Sequence, residues 1–94
     1  MKRIIAIATI LASGTAQAAP TPEQCSNAAN LAAAAFDMRM QGISEEFAMD
    51  YLRHQGVYSG LPVWAVKQAF DAPADVPVWM LKGHVMGECG RRTE

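Results

Sequence analysis

The sequence predicts an all-α fold: a small bundle of about four short helices, orthogonal in arrangement and closed by one disulfide bond. Three observations support this class. Apolar residues recur at helical spacing in four separate segments. Glycine, proline or a capping residue bounds each segment. No run of alternating, β-branched residues indicates a strand, and helices of such unequal length seldom form a regular four-helix bundle.

The first predicted helix begins beside Thr21 and runs to Gly42. Thr21 suits the N-cap, Pro22 suits the first helical position, and Gln24 completes a capping box. Most of the residues that follow are strong helix formers, and glycine is a common stop. One stripe at helical spacing is predicted to be buried: Cys25, Ala28, Ala29, Ala32, Ala35 and Phe36. Because alanine is small, this stripe should let a neighbouring helix approach closely.

Ser44 is the expected N-cap of the second helix, which carries two glutamates in its first turn and ends at Gly56. Its apolar residues follow the spacing of a single buried face, and they are Phe47, Ala48, Tyr51 and Leu52. Tyr58 is the one large side chain of the loop that follows.

The third and fourth helices begin with two similar hexapeptides, PVWAVK at 62–67 and PVWMLK at 77–82. Each proline is expected at the first helical position, which places each tryptophan at the third. The third helix should bury Val63, Val66, Ala69 and Phe70 and stop ahead of Asp71, because Pro73 follows closely. The fourth should open at Asp75 or Val76 and bury Val78, Leu81, Val85 and Cys89.

Residues 1–18 follow the pattern of a secretory signal peptide. Lys2 and Arg3 precede an apolar run, and Ala16 and Ala18 form a small-residue cleavage site. The run is too short to cross a bilayer, which takes about 17 or more apolar residues. We therefore expect an exported helical domain over 19–94, periplasmic or secreted, with no transmembrane segment in the mature chain.

The mature chain is expected to carry six basic and nine acidic residues, a net charge of −3. Binding to nucleic acid relies on clustered lysine and arginine, so nucleic acid is not an expected partner. Two cysteines remain, and an internal bond between Cys25 and Cys89 is the default pairing in an exported domain. A mixed or intermolecular disulfide is the alternative.

The repeated hexapeptides make Trp64 and Trp79 candidates for partner binding, together with Tyr58. Aromatic side chains concentrate binding energy at protein interfaces. Large aromatics in small domains also commonly pack the core, and that interpretation is favoured for the two tryptophans. Their exposure decides between the two.

Two polar clusters suggest weaker hypotheses. Met80 and His84 lie four residues apart, with Met86 near the next turn, and thioether with imidazole suits Cu(I). Methionine also fills gaps in cores, so no metal or other cofactor is expected. A row formed by Glu46, Asp50 and His54 is more typical of a solvated helix face than of a catalytic or metal site.

Size, predicted export, helicity and the cysteine pair resemble the small periplasmic acid-stress chaperones of Gram-negative bacteria, and this resemblance implies a chaperone role as one alternative. The chain departs from those proteins because Cys25 and Cys89 lie close to the mature ends. No nucleophile elbow or phosphate-binding glycine loop is present, so an enzyme is not expected. The leading hypothesis is binding to a protein or cell-envelope component, with a chaperone or a copper-handling protein as alternatives and the oligomeric state open.

Overall fold

The computed structural model describes residues 19–92, which form four α-helices. They are α1 (Pro22–Met40), α2 (Glu45–His54), α3 (Leu61–Asp71) and α4 (Val78–Cys89). No strand occurs within this range. The prediction of a small all-α bundle of four helices is therefore confirmed. The signal peptide predicted over 1–18 lies outside the described residues.

The starts of the first two helices follow the predicted capping chemistry. The backbone N–H of Gln24 donates to Thr21 Oγ1 at 3.1 Å, and the backbone N–H of Thr21 donates to Gln24 Oε1 at 2.8 Å. Ser44 Oγ accepts from the backbone N–H of Phe47 at 3.1 Å. Side-chain oxygens thus satisfy N–H groups that have no partner inside a helix.

The core is built largely from alanine. Seven of the twelve residues of its buried cluster in the described range are alanines, and Phe36 is the single aromatic among the twelve. The predicted stripe of α1 is confirmed at all its positions, since Cys25, Ala28, Ala29, Ala32, Ala35 and Phe36 are buried. Small side chains on this stripe allow the helices to pack closely around α1.

Helix α1 lies at the centre of the arrangement and contacts all three other helices, mainly α3 and α4. Residues near the start of α1, such as Gln24 and Asn27, share a surface pocket with Leu61 at the start of α3. Helix α3 thus runs beside α1 in the same sense, and α4 returns to bring Cys89 beside Cys25. Helices α2 and α4 do not contact each other.

Arg39 links the ends of α1 and α3. Its Nη1 donates to the backbone oxygens of Ala69 at 3.0 Å and Ala72 at 2.6 Å. The guanidinium carbon also lies 5.6 Å from the centroid of the Phe36 ring. A cation at this position satisfies carbonyls at a helix C-terminus and complements the negative end of the helix dipole.

The predicted disulfide is present between Cys25 and Cys89, with an Sγ–Sγ distance of 2.08 Å. It joins the first turn of α1 to the last residue of α4. Both cysteines are buried, and neither is free. The bond therefore closes the bundle at the end opposite to Arg39.

The starts of α3 and α4 differ from the prediction. Pro62 is the second residue of α3, after the N-cap Gly60 with φ +88°, and Pro77 is the N-cap of α4. Helix α4 therefore begins at Val78, because a turn in which the N–H of Val76 donates to the carbonyl of Pro73 at 3.1 Å occupies the expected start.

Val78 was predicted to be buried but is exposed, since it lies at the first turn of α4, beyond the edge of the core. On the same helix, Leu81, Val85 and Cys89 are buried as predicted. On α3, Val66 and Ala69 are buried, while Val63 and Phe70 pack partly buried against the core.

Replacing both Cys25 and Cys89 by alanine should lower the free energy of unfolding by about 4 kcal/mol. The cysteines are 64 residues apart, so the bond removes a large loop entropy from the unfolded chain. Urea denaturation of the oxidised protein and of the variant measures the difference. A loss below about 1 kcal/mol would contradict the expectation, because loops of this length give larger effects in the chain-entropy model.

Ala32→Leu should destabilise the protein by about 1–3 kcal/mol, because Ala32 is inaccessible in the closely packed core and added methylenes force its neighbours apart. Ala34→Leu is the matched control. Ala34 lies on the exposed side of the same helix, so its substitution should change stability by no more than about 0.5 kcal/mol. If Ala32→Leu lowered the stability no more than Ala34→Leu does, the alanine core would have room for the added methylenes.

Candidate functional site

The three aromatic candidates divide between core and surface. Trp64 is partly buried and packs against the core. Trp79 and Tyr58 are each 71% exposed. The core interpretation is therefore correct for Trp64 and wrong for Trp79, and the two tryptophans do not form a joint platform.

Arg92 covers the outer side of Trp64. Its guanidinium carbon lies 4.6 Å from the centroid of the indole ring, a cation–π geometry. Because Arg92 lies three residues after the end of α4 and Trp64 lies in the first turns of α3, this contact holds the last described residue against the bundle. Trp64 thus has a structural role in packing the segment that follows α4.

The two similar hexapeptides enter their helices in different registers. The backbone N–H of Trp64 donates to the Gly60 carbonyl at 3.1 Å, whereas the equivalent bond in α4 runs from Leu81 to Pro77 at 3.1 Å. Trp64 therefore corresponds in helical position to Leu81, two residues beyond Trp79. A shift of two residues turns a side chain by about 200° around the helix, so one tryptophan faces inward and the other outward.

Met80 and His84 line one surface pocket, as their four-residue spacing predicts. His84 Nε2 lies 3.2 Å from Gln68 Oε1 across this pocket. Met86 is exposed and is not part of its lining. Within residues 19–92, no group of three histidine, cysteine or acidic side chains could hold a metal ion. Two of the three residues of the copper hypothesis thus line the same pocket.

The row of Glu46, Asp50 and His54 lies on the exposed side of α2. Asp50 pairs with Arg53 in its own helix. His54 Nδ1 lies 2.9 Å from the backbone oxygen of Asp50. These contacts are local to α2, as expected of a solvated helix face.

Phe47 and Tyr51 were predicted to be buried, but they are 58% and 57% exposed. Ala48 and Leu52, their neighbours on α2, are buried as predicted. Helix α2 is amphipathic, yet the bundle covers only one edge of its apolar face. The apolar spacing shows that such a face exists but carries no information on which edge a neighbour covers.

The uncovered edge of α2 forms one wall of a groove with a volume of about 500 Å³, which we call the α1–α2 groove. Its other wall is α1, and Val66 of α3 contributes to its lining. None of the lining residues is charged; they are Leu31, Ala34, Ala35, Met38, Phe47, Ala48, Tyr51, Leu52 and Val66. This groove is the candidate site that the sequence did not identify.

Charged groups lie outside the core throughout the described range, where no buried residue is polar or charged. The pKa of Glu88 is lowered, first by its hydrogen bond with Arg91 at 2.6 Å and then by the charges of Arg91 and His84. This carboxylate is exposed, so the pair has little influence on the fold.

Comparisons with models of protein families, with curated proteins and with solved structures gave no match for this chain. No helix within residues 19–92 is both long enough and apolar enough to cross a membrane.

The described domain should stay folded when the pH falls from 7 to about 5, because its core holds no carboxylate to neutralise and no histidine to charge. The lowered pKa of Glu88 stabilises the fold above the ordinary value of 4.5, and this contribution is lost as the pH falls through the lowered pKa. The change in stability with pH that Glu88 causes is therefore confined to pH values below 4.5.

A Trp79→Phe variant makes this test specific, because Trp64 is then the only tryptophan. Its fluorescence maximum is expected to remain at the short wavelength of a partly buried indole down to about pH 5. A shift to long wavelength above that pH would instead support opening by acid.

Proposed function

We propose that this chain is an exported, disulfide-bonded helical protein that binds another protein of the cell envelope, and that it acts by binding rather than by catalysis. The α1–α2 groove is the binding site. The observation that carries the proposal is the exposure of Phe47 and Tyr51 side by side along an uncharged groove. Clustered apolar side chains on a surface mark interaction sites more often than isolated ones do.

Phe47 and Tyr51 contribute less to the core than their neighbours on α2, because more than half of each residue is exposed. The buried edge of α2, formed by Ala48 and Leu52, already contacts the core. Lys67 Nζ lies 3.5 Å from Glu45 Oε2 and further links α3 to the start of α2. The exposed parts of Phe47 and Tyr51 are therefore available to a partner, which supports binding at this groove.

The shape of the groove favours a helical partner segment. Its α1 wall presents Leu31, Ala34, Ala35 and Met38, which follow the i, i+3, i+4, i+7 spacing of one helix face. Grooves of this kind bind the apolar face of an amphipathic helix. Asp37 is exposed and the expected net charge of the mature chain is −3. Both favour a partner helix that carries basic residues beside its apolar face.

Export is supported by the disulfide, since such bonds persist in oxidising compartments and are rare in the cytosol. The signal-peptide pattern of residues 1–18 points the same way. On these two grounds we propose a periplasmic or secreted location as part of the function.

A chaperone that opens in acid receives less support than partner binding. Such a protein needs a group whose protonation favours an open state, and the core of residues 19–92 holds no titratable side chain. Copper handling also receives less support, because Met80 and His84 are both exposed and Met86 lies outside their pocket.

The proposal is tested by placing a photo-crosslinking amino acid at position 47 or at position 58 in the native cells. Position 47 is expected to give a discrete covalent adduct with another protein. Tyr58 is the matched control, since it is more exposed than Phe47 but does not line the groove. The proposal fails if neither position gives an adduct, or if position 58 gives the same adduct as strongly.

Replacing both Phe47 and Tyr51 by serine should abolish that adduct, measured with the crosslinker at Met38 on the opposite wall. The free energy of unfolding should fall by no more than about 1 kcal/mol, because each exposed substitution contributes about 0.5 kcal/mol or less. Urea denaturation checks that the variant is folded. Loss of the fold would instead show that the two aromatics are needed for packing.

A further inference from the structure

The outward face of α4 has an unusual composition. Leu81, Val85 and Cys89 form its buried stripe. Residues two positions earlier lie about 200° around the helix and so form the outward stripe. That stripe consists of Trp79, Gly83 and Gly87.

The backbone of α4 is open along this stripe. A Cβ atom placed on Gly83 would meet nothing within 4 Å, and one on Gly87 would meet only Arg91 Nη2 at 3.9 Å. Met80 and Met86 flank the glycines and are both exposed. Trp79 and Met80 therefore present large side chains at the start of the helix, whereas Gly83 and Gly87 leave the backbone of the same stripe open beside Met86 and Arg91.

Charges of opposite sign lie beyond the two ends of α4. Asp71 and Asp75 precede the helix, and Arg91 and Arg92 follow it. Arg91 has a side chain 70% exposed and donates from Nη2 to Glu88, which leaves other guanidinium N–H groups to meet a second carboxylate. The start of α4 has neither a side-chain cap nor an acidic residue in its first turn, so no side chain of that turn offsets its positive dipole end.

We propose that α4 is a self-association surface on which a second copy of this chain packs its own α4 in antiparallel orientation. The two-fold arrangement places Trp79 and Met80 of one copy over Gly87 and Gly90 of the other. It brings Arg91 of one copy towards Asp75 of the other, and it aligns opposite ends of the two helix dipoles. A parallel arrangement would instead bring like charges together.

This surface is distinct from the α1–α2 groove, because α2 and α4 do not contact each other. Self-association through α4 therefore leaves the groove open. The inference does not depend on the proposed partner binding.

Sedimentation equilibrium of the disulfide-bonded protein from about 1 μM to about 1 mM tests the proposal. The protein is expected to form dimers, and Gly83→Leu is expected to weaken dimerisation at least ten-fold. The monomer should keep its helix content and unfold no more easily, because position 83 has open space and leucine favours helix more than glycine does. If Gly83 were needed only for the fold of the monomer, Gly83→Leu would instead lower the stability of the monomer.

Two further variants locate and orient the contact. Ala34→Leu in the α1–α2 groove should leave dimerisation unchanged, and Asp75→Lys should weaken it several-fold. A monomer at all concentrations overturns the proposal. Dissociation by Ala34→Leu but not by Gly83→Leu moves the contact to the groove and also overturns it. Stronger association of Asp75→Lys rules out the antiparallel orientation.

Discussion

Close packing against the alanine stripe of α1 is the constraint on which the rest of this structure depends. The alanines of this stripe are all buried; they are Ala28, Ala29, Ala32 and Ala35. Within residues 19–92, the two most extensive helix–helix contacts are those of α1 with α3 and of α1 with α4. Alanine favours helix and leaves the backbone accessible to a neighbour. A core built this way is close-packed but small, so it removes little apolar surface from water.

Two interactions at opposite ends of the bundle add to this small core. The Cys25–Cys89 disulfide holds the start of α1 to the end of α4. Arg39 holds the end of α1 to the end of α3 through two backbone carbonyls. The disulfide acts mainly on the unfolded chain by limiting its conformations, whereas the arginine acts on the folded state. Together they fix the directions in which α3 and α4 run beside α1.

The large apolar side chains on the surface follow from the same constraint. An interior lined by alanine has no space for Phe47, Tyr51 or Trp79, and burying them there would force the helices apart. They lie instead on two separate surfaces, the α1–α2 groove and the outward face of α4. One surface is concave and uncharged, and the other combines exposed apolar side chains with glycines and has charges beyond its ends. We therefore propose different occupants for them, a helical protein partner and a second copy.

The sequence by itself determined the helices, their first two caps, the buried stripe of α1 and the disulfide pairing. These depend on neighbours along the chain, on a spacing of 3.6 residues, or on the presence of only two cysteines. Only the tertiary structure decided that Phe47 is exposed while Ala48 is buried. It also decided that Trp64 packs against the core while Trp79, at the same position of the repeated motif, is exposed. The reason is physical: a sequence pattern defines an apolar face, but a neighbouring helix covers only the part of it that its position and the helical register bring within contact.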